Sequence, residues 1–511
     1  MKHTIHCIIR KGIKGVDSKF TFYITLFLSA GLILALPIYP SVDGAAHLYN
    51  SAIIKDLIFN ASSPFHSYFR FNPVIVPNWL DHIFLALLMV IFPAIWAQKL
   101  FVIAIIVSLA LVFRKTIILI NSENKVLSCL IFPFIFSCFF YIGLYNQLLS
   151  FLILNGFILW LLSAKPKGNS YYLGLVCFSV LLWFSSIVIY ALFLIFIGIF
   201  TLFEFYDKKP KPLICLKKIG FLWLLFLPTL VLSINFITKI KMLTDEKPID
   251  LLNKFFLFFR LESLIIFDLS GESKFTIPIV ILLAFLFLRG KKTKLINNSA
   301  IKTLQWCCVI VGLLFFIVPN NSGAGMLSHR LAITLYLLFI ILICRYSYPK
   351  PMILWSTVLI LGIHIGLMMK RHNGRLKSYS QSSIQYLEVG KHIPEGATVW
   401  PISFDDDWFL GHSNNYLGIP NSSIILENYE TYYPWFPLLF RSNKAKPNIL
   451  YNDLRIKNQL NSFSDIQADY LVVYAKKENH KISAKSLIAR LDSLVFQTAD
   501  SRMKLYKLKA Y

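Results

Sequence analysis

Apolar residues run in long, nearly uninterrupted stretches through the first three quarters of the chain, and polar residues are confined to short breaks between them. A run of roughly 17–25 apolar residues is what a helix needs to cross the ~30 Å hydrocarbon core of a bilayer. Runs near that length lie at 20–38, 98–114, 126–143, 147–163, 171–185, 187–205, 217–238, 275–289, 303–319, 329–345 and 351–369. They predict an α-helical polytopic membrane protein with about eleven spanning helices. A further run at 82–97 (HIFLALLMVIFPAIWA) is similarly apolar and sets the parity of everything after it.

Beyond Arg371 the pattern changes. Apolar runs shorten to strand length at 397–403, 469–475 and 503–509, with helix-like stretches near 380–391 and 484–494 between them. Roughly 140 residues of this kind predict one small soluble α/β or α+β domain over 372–511. No internal repeat or low-complexity tract is visible.

Charge fixes the expected topology. The 511 residues are 56% hydrophobic and 15% charged with a net charge of +25, and the mean hydropathy is +0.62. Lys and Arg fall in short clusters between apolar runs, which marks orientation in a membrane and excludes a phosphate-tracking nucleic-acid surface. With a cytoplasmic amino terminus and 82–97 not crossing, Arg114/Lys115, Lys165/Lys167, Lys208 to Lys218, Arg289 to Lys294 and Arg345/Lys350 all fall inside. Crossing by 82–97 exports either those clusters or the basic tail, so this run is expected to lie in or dip into the outer leaflet.

The expected organisation is a cytoplasmic tail at 1–19, a membrane domain at 20–371 with an outer loop at 39–97 and an outer segment at 239–274, and an extracytoplasmic domain at 372–511. The first span follows Arg10, Lys11, Lys14 and Lys19, shows no clear cleavage site and reads as retained. A bacterial inner membrane is the default host. Eight cysteines without CxxC or Cys/His spacing support neither a disulfide framework nor a zinc site.

Candidate chemistry concentrates on the expected outer face. In YPSVDGAAHLYN (39–50), Asp43 and His47 would share one face of a helix at i, i+4 spacing. A partly desolvated carboxylate there suits a general base, with His47 orienting it, and Asp43 is equally placed to cap the helix. The proline-rich stretch through Asn78, Trp79, Asp81 and His82 reads as a binding loop or as an interfacial anchor. Arg330, with His329 beside it, opens a span at its outer end, where a cation suits a lipid phosphate or simply snorkels to headgroups. The turn containing Gly143, Tyr145, Asn146 and Gln147 is polar enough to line a cavity. Segment 239–274, with Asp245, Glu246, Lys247, Asp250, Lys254, Arg260, Glu262 and Asp268, reads as a surface connector or a lid. Asp405, Asp406 and Asp407 read as a solvated turn in preference to a cation site.

Taken together, VDGAAHLYN, the PNWLDH stretch at 77–82 and the GLYNQ turn at 143–147 resemble the GT-C superfamily of membrane glycosyltransferases. That superfamily includes protein O-mannosyltransferases and the aminoarabinose transferases of lipid A. The resemblance implies a polyprenyl-phosphate sugar donor, a glycan, lipid or protein acceptor, and an inverting transfer among membrane lipids. It implies that Asp43 is the first-loop acid that positions or deprotonates the acceptor, and that Arg330 holds the donor phosphate. Two departures stand out: Gly44 follows Asp43 where the family often has a second acid, and Ser185/Ser186 stand where a histidine is expected. The first departure leaves open whether a divalent metal takes part. A transporter or flippase for lipid-linked saccharide would want ionisable residues at mid-membrane, where only His364 is conspicuous. A glycan polymerase or ligase would concentrate its cations in a later loop.

Overall fold

A computed structural model describes residues 18–163, 168–239, 250–291, 299–320, 325–404, 407–441, 467–475 and 485–509. Two compact units emerge, each discontinuous in sequence. One comprises residues up to Ile33, Ile103–Phe140 and Asn146–Asn373; the other comprises Leu34–Val102, Tyr141–Tyr145 and Gly374–Tyr511.

The first unit is helical. Seven helices among the described residues are long and apolar enough to cross a bilayer, including Ala94–Ile120, Ile187–Lys208, Pro212–Lys239 and Leu269–Arg289. Asn169–Ser185 and Leu327–Ile343 are apolar but shorter. Outward faces carry bare hydrocarbon: Phe27, on the Ser18–Ala35 helix, is 74% exposed and Leu288, on Leu269–Arg289, 79%. Such faces are stable only where lipid is the solvent, so the chain is an integral, multi-pass membrane protein.

One predicted span is not a helix. Residues 126–143 form a 3-10 run at Ser122–Ile131, a single turn at Phe132–Ile135, a break at Phe136 and another short turn at Cys138–Ile142. Every residue from Leu127 to Tyr141 is buried. Apolar composition on all faces fits enclosure by protein as well as by lipid, and enclosed backbone can break where neighbouring groups satisfy it. Here Arg114 donates to the Lys125 carbonyl and to Ser128 Oγ. Leu80–Ile91 is a 12-residue helix, roughly 18 Å long and too short to cross a bilayer.

Polar side chains in this unit are spent on packing. Arg371 pairs with Glu272 at the close of the last span and donates to the Phe136 and Leu264 carbonyls, while Glu272 accepts from the Ile266 and Phe267 amides. Lys254, on the short Leu251–Phe259 helix, donates to the carbonyls of Phe315, Phe316 and Val318 that end the Ser299–Ile317 helix. Asp245, Glu246 and Lys247 lie outside the described residues. His364 meets Ser29 Oγ at 2.9 Å and packs on Phe132 and Phe136, which makes it a satisfied packing residue.

The second unit joins the first loop to the carboxy-terminal region. Its five-stranded sheet runs β3-β2-β5-β7-β6, with β2 (Thr398–Ser403) parallel to β3 (Ile424–Ile425) and β5 (Tyr470–Tyr474), and β7 (Met503–Leu508) antiparallel to β5 and β6 (Leu491–Gln497). Trp400, Ile402, Leu426, Leu471, Val473 and Leu508 form its core. Pro401 is tolerated in β2 because β3 pairs only with Thr398 and Val399, so the ladder on that side has ended. The three predicted strands are present, as is a helix at Lys377–Gly390. The helix expected at 484–494 stops at Arg490 and continues as β6, whose Leu-Val-Phe run pairs with β7.

Within this unit the first loop contributes β1 (Phe69–Phe71), antiparallel to β4 (Leu438–Phe440), and the Gly44–Phe59 helix. Asn50 and Asn428 exchange amide hydrogen bonds of 2.9 and 2.8 Å, and the Tyr49 hydroxyl donates to the Ser423 carbonyl and accepts from the Ile425 amide. These bonds fix the helix against the segment 412–430.

Candidate active site

Asp43 stands at the N-cap of the Gly44–Phe59 helix, but its side chain caps nothing. Its backbone is αR, at φ −93° and ψ −13°, and its amide donates to the Ile142 carbonyl at 2.7 Å. The capping role is therefore not taken up, and the carboxylate is turned toward His412, whose Nε2 lies 3.7 Å from Asp43 Oδ1.

Glycine at 44 is a steric requirement. A Cβ there would lie 2.1 Å from Ser41 Oγ and 2.5 Å from the Tyr145 hydroxyl. The GLYNQ turn closes on the same spot: Gly143 has φ +87°, and a Cβ on it would come within 2.7 Å of the Gly44 amide nitrogen. No second acid fits at this position. Gln98 Nε2 donates to the Tyr145 hydroxyl at 2.9 Å and to the Gly44 carbonyl at 3.2 Å, which completes the clasp.

Near Asp43 lies a buried ionisable cluster. His82 Nδ1 is 2.7 Å from Asp81 Oδ1 and 3.1 Å from the Asn78 carbonyl, and Nε2 is 2.8 Å from Glu430 Oε2. Without a metal, both ring nitrogens face acceptors, which suits an imidazolium; a bound cation would displace one of these protons. Burial opposes that charge, but Asp81 and Glu430 outweigh it and hold the His82 pKa well above the usual value. Asp81 is correspondingly held below the usual carboxylate range, the His82 and His47 rings overcoming burial. His47 is bound into the same cluster. Its Nδ1 lies 3.0 Å from Asp81 Oδ2 and 3.4 Å from Glu430 Oε1, and these carboxylates raise its pKa against burial.

The donor set of this cluster fits a divalent cation. His47, His82 and Glu430 each offer a ligand atom within 4.8 Å of the others, and His47 Nε2 is buried with no hydrogen-bond partner. Two imidazoles and a carboxylate are ligands of the zinc class. A cation held by these three would supply fixed positive charge to the cluster.

A second buried arrangement adjoins Asp43. His412 Nδ1 is 3.1 Å from Glu427 Oε1, and its ring stacks on Tyr429 at 4.1 Å. Burial raises the Asp43 pKa above 3.8 more than the His412 and His47 rings lower it. Glu427 is likewise raised by burial against His412. The His412 pKa rises because Glu427 and Asp43 overcome burial.

The remaining candidates divide between the units. Tyr145 belongs to the clasp, Asn78 holds His82 from a left-handed backbone at φ 68°, and Trp79 stacks on Phe71. Arg330, His329 and Asn146 belong to the membrane unit. Arg330 Nη1 donates to Gln147 Oε1 and its Nε to the Gly325 carbonyl, and no carboxylate pairs with it among the described residues. His329 Nδ1 lies 3.2 Å from Ser263 Oγ. Ser185 donates to the Asn146 carbonyl and Ser186 to Gln147 Oε1, so the serines found in place of a histidine tie down this turn. Asp407 caps a 3-10 turn and accepts from the Tyr379 hydroxyl; Asp405 and Asp406 lie outside the described residues. Sequence reasoning missed Gln98, His412, Glu427, Tyr429 and Glu430. The two acids of Glu427-Asn428-Tyr429-Glu430 were the nearest signal, and nothing local ties them to Asp43.

No protein-family model and no curated protein matches the sequence. Solved structures do match. The crystal structure of ArnT from Cupriavidus metallidurans in the apo state aligns over 96% of this chain and 97% of that one, at 9% identity and a TM-score of 0.53. The structure of the same protein bound to undecaprenyl phosphate aligns over the same shares at 8% identity and a TM-score of 0.50. The chain has the fold of ArnT. The likeness to ArnT spans both the helical unit and the unit that carries Asp43, and at this identity it is a likeness of fold.

Proposed function

We propose that the protein is a glycosyltransferase that moves one sugar, with inversion, from a polyprenyl-phosphate donor to an acceptor on the extracytoplasmic face. The ArnT fold supports the class, because one ArnT structure with that fold holds undecaprenyl phosphate. The observation that carries the reading is the state of Asp43: an N-cap acid that caps nothing, 15% exposed, with a pKa raised by burial. A carboxylate so placed is accessible to an acceptor and basic enough to take its proton.

The acceptor X–H bond breaks toward Asp43 as X attacks the anomeric carbon, and the carbon–oxygen bond to phosphate breaks with its electron pair leaving on the phosphate. That leaving group needs positive charge more than a proton. Arg330 suits it, being without a carboxylate partner among the described residues, and Gln147 Nε2 beside it is buried without a hydrogen-bond partner. An oxyanion there would meet two donors.

Purified protein in liposomes, given a radiolabelled polyprenyl-phosphate sugar or a nucleotide sugar, tests this. Release of free polyprenyl phosphate with label in a new product is expected from the first donor only. Turnover of the nucleotide sugar, or movement of intact lipid-linked sugar without bond cleavage, refutes the reading.

A further inference from the structure

Asp43 adjoins two buried arrangements, and the one formed by His412 and Glu427 has no part in the proposed transfer step. The segment 412–430 delivers it whole. His412 is 9% exposed and Glu427 3%. Glu427 Oε1 faces His412 Nδ1 at 3.1 Å, and Glu427 Oε2 accepts from Asn415 Nδ2 at 3.3 Å. Asn415 also donates to the His412 carbonyl at 3.0 Å, so the carboxylate and the turn that carries the ring are braced by one amide. Tyr429 stacks on the ring at 29° and removes its remaining freedom to tilt. With Nδ1 taken by Glu427, the nitrogen presented to Asp43 is Nε2.

We propose that His412, held by Glu427 and Tyr429, is the positioning residue of Asp43, which fixes the orientation of that carboxylate and receives the proton it takes from the acceptor. This rests on the reading of Asp43 as the base. Oδ1 faces His412, and the Tyr429 side chain adds a hydrogen bond to the carboxylate. In the step, the proton leaves the acceptor for Asp43 and passes to the lone pair of His412 Nε2. The imidazolium is balanced by Glu427, Asp43 returns to the carboxylate, and the proton is later lost to water. Histidine suits this place because its charge changes near neutral pH. The ionisable groups facing His412 are Glu427, Asp43, Glu430 and Tyr429, and those facing Asp43 are His412, His47, Glu430 and Tyr429.

The test measures kcat and donor KM against pH for the full-length protein in liposomes, with a polyprenyl-phosphate sugar, as wild type, Asp43→Asn, His412→Asn and His412→Gly. The Asn amide reproduces the Nδ1 donor to Glu427 and has no Nε2, so His412→Asn keeps the local fold. It is expected to lose about 10²-fold in kcat, with donor KM unchanged and the acid limb of the profile moved downward, because a group that must be neutral to receive the proton is gone. Added imidazole is expected to restore part of the His412→Gly rate. Wild-type kcat in His412→Asn, or a loss with an unmoved acid limb and no imidazole rescue, overturns the proposal in favour of a packing role. Activity retained in Asp43→Asn instead removes the base itself, and with it the reading beneath. Should His412→Gly fail to fold, the kcat and acid limb of His412→Asn decide alone.

Discussion

The buried charges of the membrane unit and those of the unit holding Asp43 are organised on opposite principles. Arg371 and Glu272 are nearly fully enclosed, and every hydrogen-bonding group named on them has a partner: guanidinium to carboxylate and carbonyls, carboxylate to guanidinium and amides. Nothing is left over for a ligand. Around Asp43, the four carboxylates of Asp43, Asp81, Glu427 and Glu430 meet the three imidazoles of His47, His82 and His412. His47 Nε2 has no hydrogen-bond partner, and the Asp43 carboxylate is partly open. A closed network holds a fold, whereas an unfinished one is kept where something else must complete it.

The contrast is broken most severely by exchanging its consequences. Asp43→Asn should cut transfer by about 10³-fold while leaving the thermal unfolding temperature in detergent near that of wild type. A large fall in unfolding temperature would place Asp43 with the structural charges. Arg371→Ala should do the reverse: it strands a buried carboxylate and costs about 3–5 kcal/mol of stability, measured by chemical unfolding, with residual folded protein retaining its kcat.

Elemental analysis sharpens the comparison further. Purified protein is expected to carry one divalent ion per chain, absent from Glu430→Gln and bound about 10–100-fold more weakly in Asp81→Asn. A metal-free wild type would make the cluster a hydrogen-bonded network alone. Gly44→Ala tests the clasp without touching charge, and the 2.1 Å contact with Ser41 Oγ should cost about 1–3 kcal/mol in stability. Its transfer rate should also fall, since the Asp43 backbone is held by the neighbouring turn.

The smallest effect is on pH. A base whose pKa is raised is ionised only at higher pH, so the acid limb of kcat should lie above 3.8 and rise toward neutrality. A limb at or below 3.8 would mean that the cations around Asp43 outweigh its burial.

Much of the membrane unit was legible in the sequence, because hydrocarbon selects for the apolar length of each helix and that length is local. Most predicted spans are apolar helices, and 126–143 failed because hydropathy registers the removal of water without distinguishing lipid from protein. The strands of the carboxy-terminal sheet were visible for the same reason: period-two patterning is a property of a few neighbouring residues.

Asp43, His47, Asp81 and His82 could be singled out from one loop, since spacing and composition near a membrane are local signals too. What the sequence alone could not decide was their company. Glu427, Tyr429 and Glu430 lie more than three hundred residues from Asp43, and the pairing of β1 with β4, the Asn50–Asn428 amide exchange and the Tyr49 bonds to Ser423 and Ile425 bring that segment to the first loop. Ion pairing acts over a few ångströms through space and leaves no periodic trace along the chain. The sequence therefore determined the solvent and the elements, and the tertiary structure determined which acids face which imidazoles.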